Sequence, residues 1–344
     1  MKAVKHHCTA AKVLPKLPKT QNDIALEGAW TETTAGESFL LNDDTNELSQ
    51  RILIFATDSN LRMLCDSNTV FGDGTFYSCP GLFYQLYTLH GYVEDTSYPL
   101  VFALLPNKTK QAYTRLFTML KGALLQNNLF LTPQLVLMDF ETAARNALKA
   151  VFSTTDIKSM LLFTLQCIWR KTQACGLAGQ YRQDDNIKTS VRRAAVLPLV
   201  PVNEVEDMWF HALENNDNDT PEVTRFAYYV AEQWVEGQQL ESWNHYDNDG
   251  PRITNNVEGW HSKINKIFKT AHPNIYTKVK MLQNIQSTNE AKLIQLPEGG
   301  KQRTKKRKYR QLDSRLQQLK TRFRNDTLNV VDYDDAASHL LHLD

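Results

Sequence analysis

The sequence predicts an α/β protein built on a mixed β-sheet flanked by helices, with an all-helical insertion in its second half. Three consecutive apolar segments separated by short turns predict an antiparallel meander, and they are residues 69–76, 83–93 and 98–106. Strand and helix patterns then alternate to about residue 178, which is typical of parallel strands with helices on both faces of a sheet. Residues 179–252 carry helical patterns without a convincing strand.

The composition is that of a folded protein, since 42% of the 344 residues are hydrophobic and 10% are aromatic. No apolar run reaches the roughly 18–20 residues that a membrane span requires, and the N-terminus lacks the hydrophobic core of a signal peptide. We therefore expect a soluble intracellular protein without a membrane partner. Five cysteines without a CxxC pair favour reduced thiols over a disulfide framework or a zinc ribbon.

The first elements follow from short local patterns. Residues 1–30 show little periodicity and predict a flexible leader. RILIFA, from residue 51, predicts a strand, and DSNLRMLCDSN, which follows it, predicts a short helix capped by Asp58 or Ser59. After the meander, apolar residues at every third or fourth position over 108–127 predict an amphipathic helix.

The later elements of the core follow in the same way. PQLVLMDF, from residue 133, predicts a buried strand, and a helix is expected over 141–152. SMLLFTL predicts another strand, followed by the helix QCIWRKTQACGL. After the insertion, TNNVEGWHSKINKIFKTAHPN predicts a helix that Asn255 or Asn256 caps and Pro273 ends.

These elements divide the chain into five regions. They are a leader (1–30), the first part of the core (31–178), the helical insertion (179–252), the final core helix region (253–295) and a basic C-terminal tail (296–344).

Two aspartates occupy costly positions in predicted strands. Asp73 lies between two glycines inside TVFGDGTF, and Asp139 ends the strand LVLM. A carboxylate in a buried strand is costly unless it is paired or binds a metal, and neighbouring acids repel each other until a divalent cation relieves them. Glu258, in the first turn of the helix after the insertion, is the candidate third acid. The alternative is that each acid has a structural role. Asp73 would then form a turn between its two glycines, Asp139 would cap the following helix, and Glu258 would be an ordinary acid in the first turn of its helix.

Cations that could contact a DNA backbone lie in three places. Arg170 and Lys171 follow Trp169 on one predicted helix, and on another, lysines recur every three residues at Lys263, Lys266 and Lys269. The tail contains a KKRK motif that fits a nuclear import signal or a DNA arm, and it comprises Lys305, Lys306, Arg307 and Lys308. A solvated helix face, docked on the body in the case of the tail, is the alternative. Trp234 and Trp243 predict either core packing or stacking on a flipped base.

Five segments together resemble the transposase domain of Mutator-like elements (MULE), of the type associated with FLYWCH zinc fingers. They are FGDGTFYSCPGLFYQLYTLHGY, PLVFALLPNKTKQAYTRLFTML, LVLMDFETAARNAL, QCIWRKTQACGL and TNNVEGWHSKIN, in the family's order. The resemblance implies an RNase H-like fold and an Asp-Asp-Glu (DDE) triad that binds two Mg²⁺ or Mn²⁺ ions. The triad falls on Asp73, Asp139 and Glu258.

The resemblance also implies the reaction and its setting. The expected activity is DNA transposition by two-metal phosphoryl transfer, in which strand cleavage at transposon ends is followed by strand transfer into target DNA. DNA is therefore the expected partner, and the KKRK motif makes the nucleus the expected location. A second copy of the chain and a nuclear import receptor are further candidate partners.

Two features depart from the family's pattern. Members carry a Cys and a His three residues apart before the WRK helix, and Met160 and Phe163 fall nearest to those positions. Residues 1–30 offer only an HHC motif as metal donors, which is too few for a FLYWCH-type finger. An alternative therefore stays open: a domesticated or degenerate transposase-derived protein that binds DNA as a regulator without catalysis. A nuclease of RNA-containing duplexes is a third interpretation.

Overall fold

The computed structural model describes residues 15–44, 50–214, 220–237, 239–250, 259–260, 262, 264–266, 271–295 and 307–341. Within these residues the chain forms one mixed sheet, helices on both of its faces and a further group of helices. No helix in this part of the chain is long and apolar enough to cross a membrane.

The sheet has seven strands in the order β1-β2-β5-β4-β3-β6-β7. In chain order they are β1 (Leu40–Asp44), β2 (Ile52–Phe55), β3 (Thr69–Thr75), β4 (Gln85–Val93), β5 (Thr96–Leu105), β6 (Leu135–Met138) and β7 (Ile157–Ser159). The pairs from β1 to β3 in sheet order are antiparallel, whereas β6 pairs parallel with both β3 and β7. The predicted meander and the mixed sheet are therefore confirmed.

Three helices cover one face of the sheet: α1 (Asp58–Asp66), α2 (Lys110–Gln126) and α3 (Thr142–Val151). Their apolar sides pack on strand residues to form one continuous core, as the periodicity of α2 predicts. Helix α2 begins where the Thr109 hydroxyl accepts a hydrogen bond from the backbone N–H of Ala112 at 3.3 Å.

A second core lies among the helices that follow β7. They are α4 (Leu161–Ala174), α5 (Asp185–Val196), α6 (Val205–Glu214) and α7 (Pro221–Val230), which a π-helical segment, Ala231–Glu236, continues. Trp234 and Trp243 are buried here with their ring centroids 5.6 Å apart. Core packing is therefore the correct interpretation of these two tryptophans, and base stacking is wrong.

The other face of the sheet is covered by α8 (Ile275–Gln295) and by helical residues around Trp260. The centroid of the Trp260 ring lies 4.9 Å from that of the His90 ring on β4 and 6.1 Å from that of the Phe102 ring on β5. The described helical residues around Trp260, within the helix predicted after the insertion, therefore face the sheet. Its predicted caps, Asn255 and Asn256, lie outside the described residues.

The basic tail packs on the second core through α9 (Arg307–Arg324) and α10 (Val330–Ser338). Leu316 is buried, and Phe323 contacts the same cluster. The fully buried ammonium of Lys320 donates to the Tyr246 carbonyl and to Asp249 at 3.3 Å. The tail is therefore helical and docked on the body, which agrees with the alternative given for its basic residues.

Two predicted elements differ from the structure. SMLLFTL is not a strand, because β7 ends at Ser159 and α4 begins at Leu161. A short continuous apolar run does not distinguish a buried strand from a helix that is buried on several sides. The cap of α1 is Thr57 rather than Asp58 or Ser59, since its hydroxyl accepts from the backbone N–H of Asn60.

The leader prediction is wrong for residues 15–30. Ile24 is buried, and the side-chain amide of Gln21 donates to the Leu82 carbonyl at 2.6 Å. The buried guanidinium of Arg51 donates to the carbonyls of Gln21 and Ile24 at 2.7 and 2.8 Å. Short 3₁₀ turns show no hydrophobic period, so the sequence pattern misses this packing. Residues 1–14 lie outside the described residues.

Candidate functional site

Asp73 and Asp139 meet at neighbouring positions of two parallel strands. Gly72 on β3 pairs with Met138 on β6, so the two aspartates follow at the next position of each strand. Both side chains are half-buried at the edge where parallel strands end. The two strands lie side by side, and this pairing makes the two aspartates neighbours.

The electrostatics of the pair centre on Asp139. Burial raises the pKa of Asp139 to about 6, and the negative charge of Asp73 contributes to this increase. The backbone N–H of Glu141 donates to Asp139 Oδ1 at 3.2 Å and, with the charge of Lys108, lowers the pKa of Asp139 in part. On Asp73, Oδ1 accepts a hydrogen bond from the backbone N–H of Gly74 at 2.7 Å. The site therefore concentrates negative charge. The backbone hydrogen bonds to the two carboxylates and the charge of Lys108 compensate it only in part.

A group of polar side chains lies on the opposite face of β3, and we call Gln85, Tyr87, Tyr113 and Glu141 the polar floor. The amide of Gln85 donates to the Tyr113 hydroxyl, which donates to Glu141 Oε2 at 2.7 Å. The hydroxyl of Tyr87 and Glu141 Oε1 are buried and make no hydrogen bond among the described residues. Burial raises the pKa of Tyr87 well above its usual value, and the charge of Asp139 adds to this.

The two glycines beside Asp73 make room for this floor. A Cβ on Gly72 would lie 2.6 Å from the Tyr87 hydroxyl oxygen, and a Cβ on Gly74 would lie 2.7 Å from Gln85 Oε1. Any larger residue at these positions would displace a polar side chain beneath the aspartates. The absence of a Cβ at Gly72 and Gly74 thus makes room for the side-chain oxygens of Tyr87 and Gln85.

Glu258 lies outside the described residues, as do Lys263 and Lys269. Trp260, two residues further along the chain, is described, and its ring packs against that of His90. His90 Nε2 lies 3.0 Å from the hydroxyl of Thr88, which donates to the carbonyl oxygen of Asp73. Thr88 is also the residue that pairs with Asp73 across β3 and β4. The described helical residues around Trp260 therefore lie over β4, the strand beside Asp73.

Among the described residues, no group of three or more His, Cys, Asp or Glu side chains has an arrangement that could hold a metal ion. Glu141 is near the two aspartates, but its carboxylate is directed to Tyr113. The described part of the chain thus supplies two neighbouring carboxylates.

The cations predicted to bind DNA have different surroundings. Arg170 is exposed, whereas the ammonium of Lys171 lies 4.8 Å from the centroid of the Tyr229 ring. Lys266 and Arg307 are exposed. Lys305, Lys306 and the side chain of Lys308 lie outside the described residues.

Sequence reasoning missed two cations that act on Asp139. Arg145 lies on α3, and burial lowers the pKa of its guanidinium while the charge of Asp139 raises it. Lys108 is exposed in the loop before α2, and its charge acts on the same carboxylate. Arg145 could have been found from the sequence, because it lies one turn into the helix that follows Asp139. Lys108 is distant from Asp139 along the chain, and only the folded sheet brings the two residues close together.

Met160 and Phe163 occupy the N-terminus of α4, close to the same edge of the sheet. Met160 is fully buried in a cluster with Phe71 and Leu137, and Phe163 packs against it. These apolar side chains supply no strong metal donor, and this corner is held by their packing and by the backbone hydrogen bond from Met160 N–H to the Met138 carbonyl at 2.9 Å.

The comparison with protein families concerns this part of the chain. Residues 69–166 match the family model for the MULE transposase domain. The matched range begins at β3, ends in α4, and includes Asp73, Asp139 and the polar floor. It agrees with the resemblance seen in the sequence and suggests a transposase-like function that acts on DNA. No curated protein matches the chain.

Proposed function

We propose that the chain is a transposase-like enzyme with an RNase H-like core that cleaves and transfers DNA strands. The observation that carries the proposal is the parallel pairing of β3 and β6, which sets Asp73 beside Asp139 within the range that matches the MULE transposase domain. Functional residues of such sheets lie at the carboxyl ends of parallel strands. In this proposal Asp73, Asp139 and Glu258 form a DDE triad.

The donor set suits a hard divalent cation. Mg²⁺ is usually held by one or two carboxylates and keeps other positions for water and phosphate oxygens. Burial and mutual repulsion raise the pKa of Asp139, and a bound cation would relieve both. We propose that Asp73 and Asp139 hold two Mg²⁺ or Mn²⁺ ions together with Glu258. When bound, such ions supply electrostatic stabilisation of the charge that develops on a reacting phosphate.

The position of Trp260 supports the assignment of Glu258. Trp260 is two residues further along the chain and packs over His90, one strand away from Asp73. In the helix predicted from the sequence, Glu258 and Trp260 are two residues apart, so their side chains leave the helix on different sides. The carboxylate can therefore lie at the rim of the sheet while the indole lies above it.

The chain's own cations would orient the DNA. Lys108 is exposed beside Asp139, and Arg145 lies within electrostatic reach of the same carboxylate. A phosphate bound at the aspartates would lie close to the positive charges of Lys108 and Arg145. In this account Lys108 and Arg145 hold the scissile phosphate, while the carboxylates hold the ions.

A nicking assay on supercoiled plasmid DNA with Mg²⁺ or Mn²⁺ tests the proposal. We expect the wild-type chain to nick the plasmid and Asp73→Asn to abolish nicking while the fold stays intact. The matched control is Asp156→Asn, which removes an exposed acid beside β7 and should leave nicking unchanged. Nicking at the wild-type rate by Asp73→Asn would show that the triad assignment is wrong.

A second candidate is a degenerate, regulatory relative that binds DNA without cutting it. The apolar packing of Met160 and Phe163, at positions where the family carries Cys and His, favours it. In that case Asp73→Asn should leave DNA affinity nearly unchanged. Removing the charges of Lys305, Lys306, Arg307 and Lys308 should then weaken binding and flatten its salt dependence.

The location and the associations of the chain are further proposals. We propose that the KKRK motif directs the chain to the nucleus. Neutral substitutions in this motif should abolish the nuclear accumulation of a fluorescent fusion of the chain. The link to FLYWCH fingers and self-association remain predictions from the resemblance.

A further inference from the structure

Three large aromatic side chains are exposed together in the loop between β3 and β4. Phe76, Tyr77 and Tyr84 are 46%, 43% and 44% exposed, and we call them the aromatic platform. The rings of Phe76 and Tyr84 meet edge to face with their centroids 5.3 Å apart. Isolated apolar side chains on a surface need no explanation, but an exposed cluster marks an interaction site.

The loop holds the platform in a fixed arrangement. The backbone N–H of His272 donates to the Tyr77 carbonyl at 3.0 Å, and that of Tyr84 donates to the Leu105 carbonyl at 2.8 Å. The backbone N–H of Cys79 donates to the Phe76 carbonyl at 3.1 Å, and the Cys79 side chain is fully buried. The backbone and the buried thiol thus anchor the loop, and the exposed rings are left available to a partner.

The platform lies beside the two aspartates. Phe76 comes three residues after Asp73 along the chain. The ammonium of Lys108 lies 6.0 Å from the centroid of the Tyr84 ring, and its charge acts on the carboxylate of Asp139. One exposed cation therefore connects the aromatic platform to the candidate catalytic carboxylates.

We propose that the platform binds unpaired bases of DNA next to the phosphate on which the carboxylates act, an inference that rests on the proposed function. Exposed aromatic rings stack on bases of any sequence, and a lysine beside them neutralises the backbone phosphate. Bases in an intact duplex are stacked on each other, so the platform requires a strand end or a locally opened duplex. The site therefore selects DNA by its unpaired bases.

Equilibrium binding to matched oligonucleotides tests this inference. The probes are a blunt duplex, the same duplex with an overhang of about six unpaired nucleotides, and the single strand alone. Fluorescence anisotropy is measured in EDTA and again with Ca²⁺, a hard cation that also takes oxygen ligands. We expect the wild-type chain to bind the overhang more tightly than the blunt duplex.

The platform variant is Phe76→Ala combined with Tyr84→Ala. Because each stacked base contributes about fivefold or more in affinity, the variant should lose at least that factor for the overhang while its affinity for the blunt duplex is unchanged. Tyr84→Phe, which keeps the ring, should retain the preference. Tyr228→Ala, which removes a ring that is 69% exposed on α7, is the matched control and should change nothing.

The outcomes separate this inference from the proposed function. Equal affinity for overhang and blunt duplex, or an equal loss for both in the platform variant, would overturn the platform as a base-binding site and leave the enzyme proposal standing. A change in sedimentation of the variant without any change in DNA affinity would show that the rings bind a second copy of the chain. Absence of binding to all three probes would overturn both proposals.

Discussion

Replacing Asp139 with Asn is expected to stabilise the metal-free protein. Burial and the charge of Asp73 raise the pKa of Asp139 from 3.8 to about 6. The folded state therefore binds more protons than the unfolded state between these two values, so the free energy of unfolding falls as the pH rises through this window. Asn is neutral at every pH and has nearly the same size, so it removes the cost of ionising this side chain.

The magnitude follows from the two pKa values. Linkage gives a cost of about 1 kcal/mol at about pH 4.5 and about 3 kcal/mol at about pH 7.5, where both states are ionised. The free energy of unfolding of Asp139→Asn should exceed that of the wild type by these amounts. A carboxylate kept at such a cost is typical of a functional site.

Urea denaturation at the two pH values, in EDTA, measures the difference. Asp156→Asn serves as the control, because it removes an exposed acid just before β7, at the opposite end of the strands from the two aspartates, and should change stability by less than about 0.5 kcal/mol at either pH. Adding Mn²⁺ should stabilise the wild type and leave Asp139→Asn unchanged, since ligands stabilise only the state that binds them. Destabilisation by Asp139→Asn at neutral pH, or a gain that does not depend on pH, would refute this account of the site.

Further predictions concern the residues under the aspartates. Gly72→Ala places a Cβ 2.6 Å from the Tyr87 hydroxyl and should destabilise the fold by about 1–3 kcal/mol in urea denaturation. Gly122 lies in α2, and a Cβ there would have no atom within 4 Å, so Gly122→Ala should instead stabilise the fold by about 1 kcal/mol. A change of the same sign in the free energy of unfolding for both variants would contradict the packing described here. Tyr113→Phe leaves Glu141 Oε2 without its donor and should cost about 1–3 kcal/mol by the same measurement, whereas a neutral effect would show that the polar floor does not stabilise the fold.

The sequence predicts most of the sheet because its signals are local. Strands β3, β4 and β5 alternate with short turns, and α2 shows a clear helical period, so each element carries its own evidence. The prediction of a strand for SMLLFTL is wrong because this segment carries no such local signal. The first residues of α4 are buried on several sides, and a continuous apolar run contains no period to separate helix from strand.

The candidate site is only partly visible in the sequence. Asp73 and Asp139 stand out because acids are costly in buried strands, and their neighbouring positions follow from one strand pairing. The hydrogen bond from Tyr113 to Glu141 joins α2 to the residue before α3, and the contact of Lys108 with Tyr84 joins two loops. Such contacts depend on which side chains meet after the sheet has formed, and no local pattern encodes them.

The central claim is that Asp73, Asp139 and Glu258 form one metal site. Isothermal titration calorimetry of Mn²⁺ binding, with the wild type compared with Asp73→Asn and Glu258→Gln, tests it most directly. The account predicts that the wild type binds Mn²⁺ and that both variants lose this binding while their thermal unfolding stays cooperative. Wild-type affinity in either variant, or no binding by the wild type with or without DNA, would contradict the claim.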